Sequence, residues 1–288
     1  MKTLQITNSW SPTSGGIATF HRALAEAANG RGQSMSLVFP GPINGERTIG
    51  DFVRLYEIAS PRSNFNSAYR TIYPSQFLTS GGRLREILKA EKPDLIEIKD
   101  KYTLIDLGPP IRLRLLHDFD FRPAVAGLSC ERMDVNFQTH FSAGAFGRAF
   151  YAWYMRNVYS PFFDYHIAIS DPTAGELRNA GKGNEVARGL FQWPHGADCS
   201  VFSPVHRSAS ERSELLHRID AGESTALLLY FGPLAPEKNL SLLIETMEAL
   251  PSEKREYRLI IAGAACPVVP FSDTQSNAWA REPLGWDA

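Results

Sequence analysis

Short apolar runs alternate with amphipathic segments along most of the chain. Residues 2–7 form a β-type apolar run, residues 8–16 form a glycine-containing loop, and apolar side chains then recur at helical spacing from Ile17 to Ala28. A second apolar run occupies residues 34–39. This order of strand, helix and strand predicts a β-α-β unit whose two strands are parallel.

The same alternation continues through the first two thirds of the chain. Residues 83–90 have the spacing of a helix, and Pro93 separates them from an apolar run at 94–98. Three more short apolar runs follow, at residues 123–128, 165–170 and 185–193. Repeated strands and helices of this kind predict an α/β protein with a Rossmann-like domain over residues 1–205.

A polar segment at residues 206–224 predicts a surface connection with one or two helical turns. A further strand, helix and strand follow, at residues 225–232, 239–250 and 257–263. Two parallel strands cannot bury both faces of their sheet, so the second Rossmann-like domain, residues 225–267, is predicted to be incomplete. Residues 268–288 lack periodicity and are expected to form an irregular tail.

Charge and cysteine usage exclude several classes of protein. The chain has 288 residues with 30 Lys and Arg against 31 Asp and Glu, so no overall field attracts nucleic acid or an anionic membrane. Three cysteines without C-x-x-C spacing argue against a disulfide framework or a zinc site. The start of the chain lacks the apolar core of a signal peptide, and no run of about 18 apolar residues occurs. We therefore expect a cytoplasmic protein; nothing in the sequence indicates its oligomeric state.

Two loops that follow predicted strands have features of anion sites. SPTSGG, residues 11–16, opens a helix, and its backbone N–H groups could receive an anion; the alternative is a glycine turn without a ligand. YFGPLAPEKN, residues 230–239, has the same placement in the second domain and adds the ammonium group of Lys238. The alternative there is an exposed lysine followed by Asn239 as a helix N-cap.

Six segments, in this order, resemble the retaining glycosyltransferases of family four. They are SPTSGG, PDLIEIKD, HIAISDPTAGEL, PHGADCSVFSP, the segment that begins with YFGPLAPEKN, and YRLIIAG. The resemblance extends from residue 1 to about residue 266. It implies the GT-B architecture, with a complete N-terminal Rossmann-like domain on the acceptor side and, here, only the start of the nucleotide-sugar domain.

The resemblance also implies a donor site. In the family, the loops equivalent to SPTSGG and YFGPLAPEKN contact the donor diphosphate, which assigns that role here to Gly15, Gly16, Gly232 and Lys238. A second cation of the family's site, an Arg, is replaced by Pro233. One half of the expected electrostatic clamp on the leaving nucleotide is therefore missing.

Many relatives carry a His that contacts the transferred sugar at the place where this chain has Cys130. A thiol does not reproduce the hydrogen bonds of a neutral imidazole, so no catalytic residue is assigned. The candidates for the acceptor side are Asp100, Glu131, Arg132 and Asp134. A surface loop of mixed charge is the alternative for the last three.

Aromatic residues are concentrated at residues 144–163. Those that share one helical face with a valine are Phe146, Phe150, Trp153, Tyr154 and Val158. Two interpretations stay open: a weak peripheral contact with the inner surface of a membrane, or packing against the core of the protein.

The predicted function is transfer of a hexosyl group from a nucleotide sugar to a glycan or lipid acceptor, with retention of the anomeric configuration. No cofactor or metal is expected, because Lys238 and helix dipoles would balance the charge of the leaving nucleotide. The alternative is a truncated, catalytically impaired remnant that still binds an acceptor or a partner, and a frameshifted or prematurely ended reading frame would explain it. A dinucleotide-binding protein is disfavoured because G-x-G-x-x-G does not occur.

Overall fold

The fold is seen in a computed structural model. It describes residues 1–10, 16–64, 69–99, 101, 104, 107–134, 145–180, 189–232, 234, 238–251 and 255–263. Contacts divide the chain into two units, Met1–Gly196 and a second unit that begins at Ala197. The predicted domain limits at residues 205, 224 and 267 stay a prediction, and the predicted tail lies outside the described residues.

The first unit contains an eight-stranded sheet. In chain order, β1 to β8 are Thr3–Ile6, Met35–Gly41, Gly45–Ile49, Val53–Ala59, Leu95–Ile98, Ala124–Ser129, Tyr165–Ala168 and Leu190–Gln192. Their order in the sheet is β3-β4-β2-β1-β5-β6-β7-β8, and only the pairing of β3 with β4 is antiparallel. The apolar runs predict six of these strands. They do not predict β3 and β4, since polar residues interrupt the apolar pattern near this edge of the sheet.

Six helices belong to the described part of the first unit. In chain order, α1 to α6 are Gly16–Gly30, Ser75–Leu78, Arg83–Glu91, Gly108–Arg112, Ala145–Tyr154 and Asp171–Ala180. The chain leaves α1 through Gly32 (φ 65°) and α3 through Lys92 (φ 44°), two left-handed residues that prevent a helix from continuing. The Ser170 hydroxyl accepts a hydrogen bond from the N–H of Thr173 and so caps the start of α6. α5 continues as a π-helical turn, Met155–Tyr159.

At the amino ends of the central strands, a buried carboxylate joins α3 to the sheet. Glu91 accepts hydrogen bonds from Lys2 Nζ at 2.6 Å, Ser36 Oγ at 2.9 Å and Arg54 Nη1 at 3.1 Å, and also from the hydroxyl of Tyr56. The Glu91 side chain is fully buried. This network lies at the end of the sheet opposite to the one at which α/β proteins bind ligands, so we assign it to stability.

The second unit contains a parallel pair of strands, β9 (Ala226–Phe231) and β10 (Tyr257–Ala262), with the helix α8 (Leu240–Ala249) between them in sequence. This confirms the predicted β-α-β unit. The polar segment before it forms the ten-residue helix α7 (Ala209–Arg218), which is longer than the one or two predicted turns, and the side chain of Ser208 caps its start. None of the ten residues of α8, all of them described, is buried.

The aromatic face of α5 divides between the core and the solvent. Tyr154 and Val158 pack against the buried core, which confirms the packing interpretation for these two residues. Phe150 and Trp153 are 43% and 54% exposed, and their ring centroids lie 5.9 Å apart. The side chain of Phe146 lies outside the described residues. Among the described residues, no helix is long and apolar enough to cross a lipid bilayer.

We expect the variant Phe150→Ser/Trp153→Ser to bind vesicles of phosphatidylglycerol and phosphatidylcholine about tenfold more weakly than the wild type, because exposed aromatic rings contribute most at a membrane interface. Co-sedimentation measures the bound fraction. Leu113→Ser/Leu115→Ser is a matched control, since these two leucines are 59% and 56% exposed elsewhere on the same unit. Equal binding by both variants and the wild type would leave α5 without a role at membranes.

Candidate functional site

The carboxyl ends of the parallel strands carry the candidate site. β5 is followed by Lys99, β6 by Cys130, and β8 by a short segment that leads to His195. α1, the helix that follows β1, contributes Phe20 and His21 to the same edge. We call these five residues the edge cluster. Ligands of α/β proteins bind outside the carboxyl ends of the strands, so this is the expected place for a substrate.

One aromatic ring joins the members of the edge cluster. The ammonium nitrogen of Lys99 lies 4.8 Å from the ring centroid of Phe20. The same ring stacks on the imidazole of His195 at 4.2 Å and 14°. Nε2 of His195 lies 3.8 Å from Sγ of Cys130. The fold therefore brings together side chains from four separate parts of the sequence.

Burial controls the protonation of the edge cluster. It lowers the pKa of Lys99, although the nearby Cys130 opposes this effect. It raises the pKa of Cys130, again with an opposing contribution from Lys99, so the side chain is a thiol near neutral pH. Burial and then the charge of Lys99 lower the pKa of His195, which keeps the imidazole neutral. Lys99 is thus the one cation among the five residues of the cluster, and the nearby carboxyl groups of Glu97 and Glu131 partly oppose the fall in its pKa.

His21 is the most unusual member of the edge cluster. Its side chain is fully buried, and neither ring nitrogen has a hydrogen-bond partner among the described residues. Burial, Lys99 and His195 together lower its pKa to about 3. A buried polar group without a partner costs about 1–3 kcal/mol, so such a group needs a structural or functional reason.

The predicted donor residues fall in both units. Gly15, Asp100 and Pro233 lie outside the described residues. Gly16 is the first residue of α1, and a Cβ at this position would have no atom of the described residues within 4 Å. In the second unit, Gly232 has φ 155°, a conformation that L side chains rarely adopt.

Lys238 lies at the start of α8. It is exposed and immediately precedes Asn239, the left-handed residue (φ 47°) before the helix. The side chain of Asn239 makes no capping bond to the backbone and instead accepts a hydrogen bond from the hydroxyl of Ser241 at 2.9 Å. Asn239 therefore occupies the N-cap position, as in the alternative given for this loop, but its side chain does not cap the helix.

Two of the predicted acceptor-side residues line a cavity of about 520 Å³. Arg132 Nε donates to Asp134 Oδ1 at 2.9 Å, and the two side chains share the cavity wall with Tyr151, Arg156 and residues of α6. The structure does not place Glu131 in this wall. Guanidinium and carboxylate groups are suited to bind sugar hydroxyls.

A buried ion pair lies at this cavity, and one of its members, Glu176, lines the wall. Lys101 Nζ lies 2.7 Å from Glu176 Oε2, and the two side chains are 2% and 3% exposed. Glu176 also accepts hydrogen bonds from the N–H groups of Met133 at 2.7 Å and Asp134 at 3.2 Å, and from the hydroxyl of Tyr151. The pair therefore ties the segment after β6 to α6.

Sequence reasoning missed the chemistry of several of these residues. Glu176 lies in a segment whose pattern indicates only a helix start, and the pattern around Lys99 indicates only the end of a strand. In both cases a charged residue lies close to an apolar run. A charged side chain that becomes buried there needs a partner or a ligand. For His195, the loop that contains it gives no comparable signal, because its contacts come from α1 and β6.

The chain has a distant sequence similarity to a mannosyltransferase. No family model matches the chain. The chain is 24% identical over 263 residues to a GDP-mannose-dependent alpha-(1-6)-phosphatidylinositol dimannoside mannosyltransferase from each of two strains of Mycobacterium tuberculosis. The matched region is 91% of this chain and 62% of the relative. The chain thus spans less than two thirds of the length of the curated relatives it matches.

A solved structure has a similar fold. The crystal structure of a glycosyltransferase from Rickettsia africae matches with a TM-score of 0.57 and 12% identity, over 91% of this chain and 60% of the other. This match confirms the predicted α/β fold of the Rossmann-like GT-B type. The similarity to the mannosyltransferase supports the predicted relation of this chain to GT-B glycosyltransferases.

Proposed function

We propose that the chain is a protein of the retaining glycosyltransferase family four, with an acceptor-side domain and the start of a nucleotide-sugar domain, and that it transfers a hexosyl group from a nucleotide sugar to a glycan or lipid. The observation that carries this proposal is the edge cluster, in which a cation and a neutral imidazole meet at the carboxyl edge of the sheet. The mycobacterial relative is GDP-mannose-dependent, which makes GDP-mannose the first donor to test. We propose no cofactor or metal.

In this proposal, Lys99 and the start of α1 attract the donor phosphates. Phe20, which contacts Lys99, lies one turn after Gly16. The ammonium group of Lys99 therefore lies near the N-terminus of α1, which carries a partial positive charge. Both charges favour an anion. Gly15, Gly232 and Lys238 keep the donor-binding roles implied by the resemblance.

His195 would contact the sugar. Its neutral imidazole can donate one hydrogen bond and accept another, and it lies beside Cys130, where many relatives have a histidine. Cys130 is a thiol rather than a thiolate and is therefore a poor nucleophile. This chemistry is suited to a retaining mechanism that depends on the donor phosphate rather than on a protein nucleophile.

The acceptor would occupy the cavity that contains Arg132 and Asp134. Its volume of about 520 Å³ is large enough for a sugar or inositol ring, and its wall carries both hydrogen-bond donors and acceptors. Asp100 and Glu131 keep their assignment to the acceptor side as part of this proposal.

Calorimetric titration with GDP-mannose tests the donor site. We expect submillimolar binding by the wild type and about tenfold weaker binding by Lys99→Met, because one charged hydrogen bond to phosphate contributes about 1.4 kcal/mol or more. Lys89→Met is the control, since Lys89 is an exposed lysine of the same unit paired with Asp118. Equal weakening by both variants, or none by Lys99→Met, would remove Lys99 from the donor site.

The second candidate is a remnant that binds but does not catalyse. Cys130 favours it, because a thiol replaces the imidazole of many relatives. Release of GDP from GDP-mannose in the presence of a phosphatidylinositol mannoside separates the two candidates. Turnover that is lost in His195→Ala and kept in His206→Ala supports the enzyme, whereas an absence of donor binding and turnover supports the remnant.

A further inference from the structure

A second cavity in the first unit shares no residue with the edge cluster. It has a volume of about 300 Å³ and lies between α1 and strands β2 to β4. Its apolar part includes the buried side chains of Leu37 and Leu55. Its polar part includes Arg22, Arg47 and Glu26. None of the roles proposed above uses it.

Two aromatic rings hold the two arginines of this cavity in place. Trp10 and Phe39 stack with their centroids 4.5 Å apart and their planes at 26°. The guanidinium carbon of Arg22 lies 5.6 Å from the ring centroid of Trp10, and that of Arg47 lies 5.9 Å from that of Phe39. Contacts of this kind orient a guanidinium group but leave its N–H donors unused.

The charge of the cavity favours an anion. In the part of the chain that the structure describes, neither Arg22 nor Arg47 forms an ion pair with a carboxylate. Glu26 is the one acidic residue among the described residues that line the cavity, so two positive charges face one negative charge. Two guanidinium groups with planar N–H donors are suited to bind a carboxylate or a phosphate.

We propose that this cavity binds an acidic saccharide, with the sugar ring against Trp10 and its phosphate or carboxylate group between Arg22 and Arg47. The volume fits a single pyranose ring with one charged substituent, which is the small end of the range for ligand sites. The apolar side chains of Leu37 and Leu55 can receive the C–H face of the ring, and Glu26 can accept hydrogen bonds from its hydroxyls. The site is additional to the proposed donor and acceptor sites.

A titration of the full chain tests the proposal. Binding is followed by the NMR signal of the indole N–H of Trp10, which is identified by its loss in Trp10→Phe. The probes are mannose 6-phosphate, a hyaluronan tetrasaccharide, a neutral mannotetraose and inorganic phosphate. We expect one or both acidic saccharides to bind at least about tenfold more tightly than the last two, and more weakly as salt increases. Binding of mannose 6-phosphate alone identifies phosphate as the anionic group, and binding of the tetrasaccharide alone identifies a carboxylate.

The variant Arg22→Gln/Arg47→Gln should weaken the binding of acidic saccharides about tenfold or more, whereas Arg31→Gln, on an exposed arginine just after α1, should leave it within about twofold. GDP-mannose binding should not change in either variant, so failure here is distinguishable from failure of the proposed function. Unchanged acidic-saccharide binding in the double variant overturns the proposal. So does equally tight binding of inorganic phosphate, or no binding of either acidic probe at about 10 mM.

Discussion

Replacement of Glu176 by Ala should lower the free energy of unfolding by about 3–5 kcal/mol, because it leaves a buried ammonium group without its partner. Lys101 is 2% exposed in its side chain and cannot turn to water without breaking the packing around it. The N–H groups of Met133 and Asp134 and the hydroxyl of Tyr151 lose their acceptor at the same time. Urea unfolding followed by far-UV circular dichroism measures the loss.

Two further variants separate the buried pair from a general effect of removing a carboxylate. Glu86→Ala removes a half-exposed carboxylate that pairs with Arg83 on the surface of α3, and it should cost less than about 1 kcal/mol. The double variant Lys101→Met/Glu176→Gln should be more stable than Glu176→Ala, because no charge then stays buried. Equal losses in Glu86→Ala and Glu176→Ala would contradict the assignment.

The same ion pair connects stability to the proposed acceptor cavity. Glu176 holds the backbone of the segment that carries Arg132 and Asp134, and Lys101 donates to the carbonyl oxygen of Glu131 at 2.5 Å. A change at the pair should therefore move the cavity wall as well as weaken the fold. A conservative change such as Glu176→Gln should consequently raise the KM for the acceptor more than it changes donor binding.

The sequence predicted the centre of the sheet better than its edge. β2 is buried along its whole length and β1 along most of it, so apolar side chains are frequent in both strands and a single sequence reveals them. β3 is an edge strand with exposed polar residues, so its sequence lacks the apolar pattern of a buried strand. Its antiparallel pairing with β4 could not be predicted from periodicity.

The candidate site was predictable in its place but not in its members. The rule that ligands bind at the carboxyl ends of strands is consistent with the predicted anion site in the loop after β1. The stacking of Phe20 on His195, and the approach of His195 to Cys130, depend on how α1 and the segment after β8 pack on the sheet. No local pattern encodes such contacts, because they join residues that are far apart in the chain.

Glu91→Gln should lower the free energy of unfolding by about 2–3 kcal/mol at neutral pH. Lys2 and Ser36 donate to Oε2 of Glu91, whereas Tyr56 donates to Oε1. The amide nitrogen of Gln cannot accept hydrogen bonds, so the new side chain cannot serve both sets of donors as the carboxylate does. Arg54 is more than half exposed in its side chain and contributes little to this loss. Asp94→Asn is the control, because Asp94 is an exposed carboxylate near the same end of the sheet, and its replacement should cost less than about 1 kcal/mol.

The pH dependence of the Glu91→Gln effect identifies its cause. Burial alone would raise the pKa of Glu91, but the hydrogen bonds from Lys2, Tyr56 and Ser36 outweigh it, and the pKa lies below the usual 4.5. The unfolded chain therefore binds this proton at a higher pH than the folded chain, and the contribution of the carboxylate is complete above about pH 5.5 and is lost as the pH falls through the folded pKa. The difference in stability between wild type and Glu91→Gln should shrink over that range in urea titrations. A difference that stays constant down to about pH 3 would mean that shape, rather than charge, sets the role of Glu91.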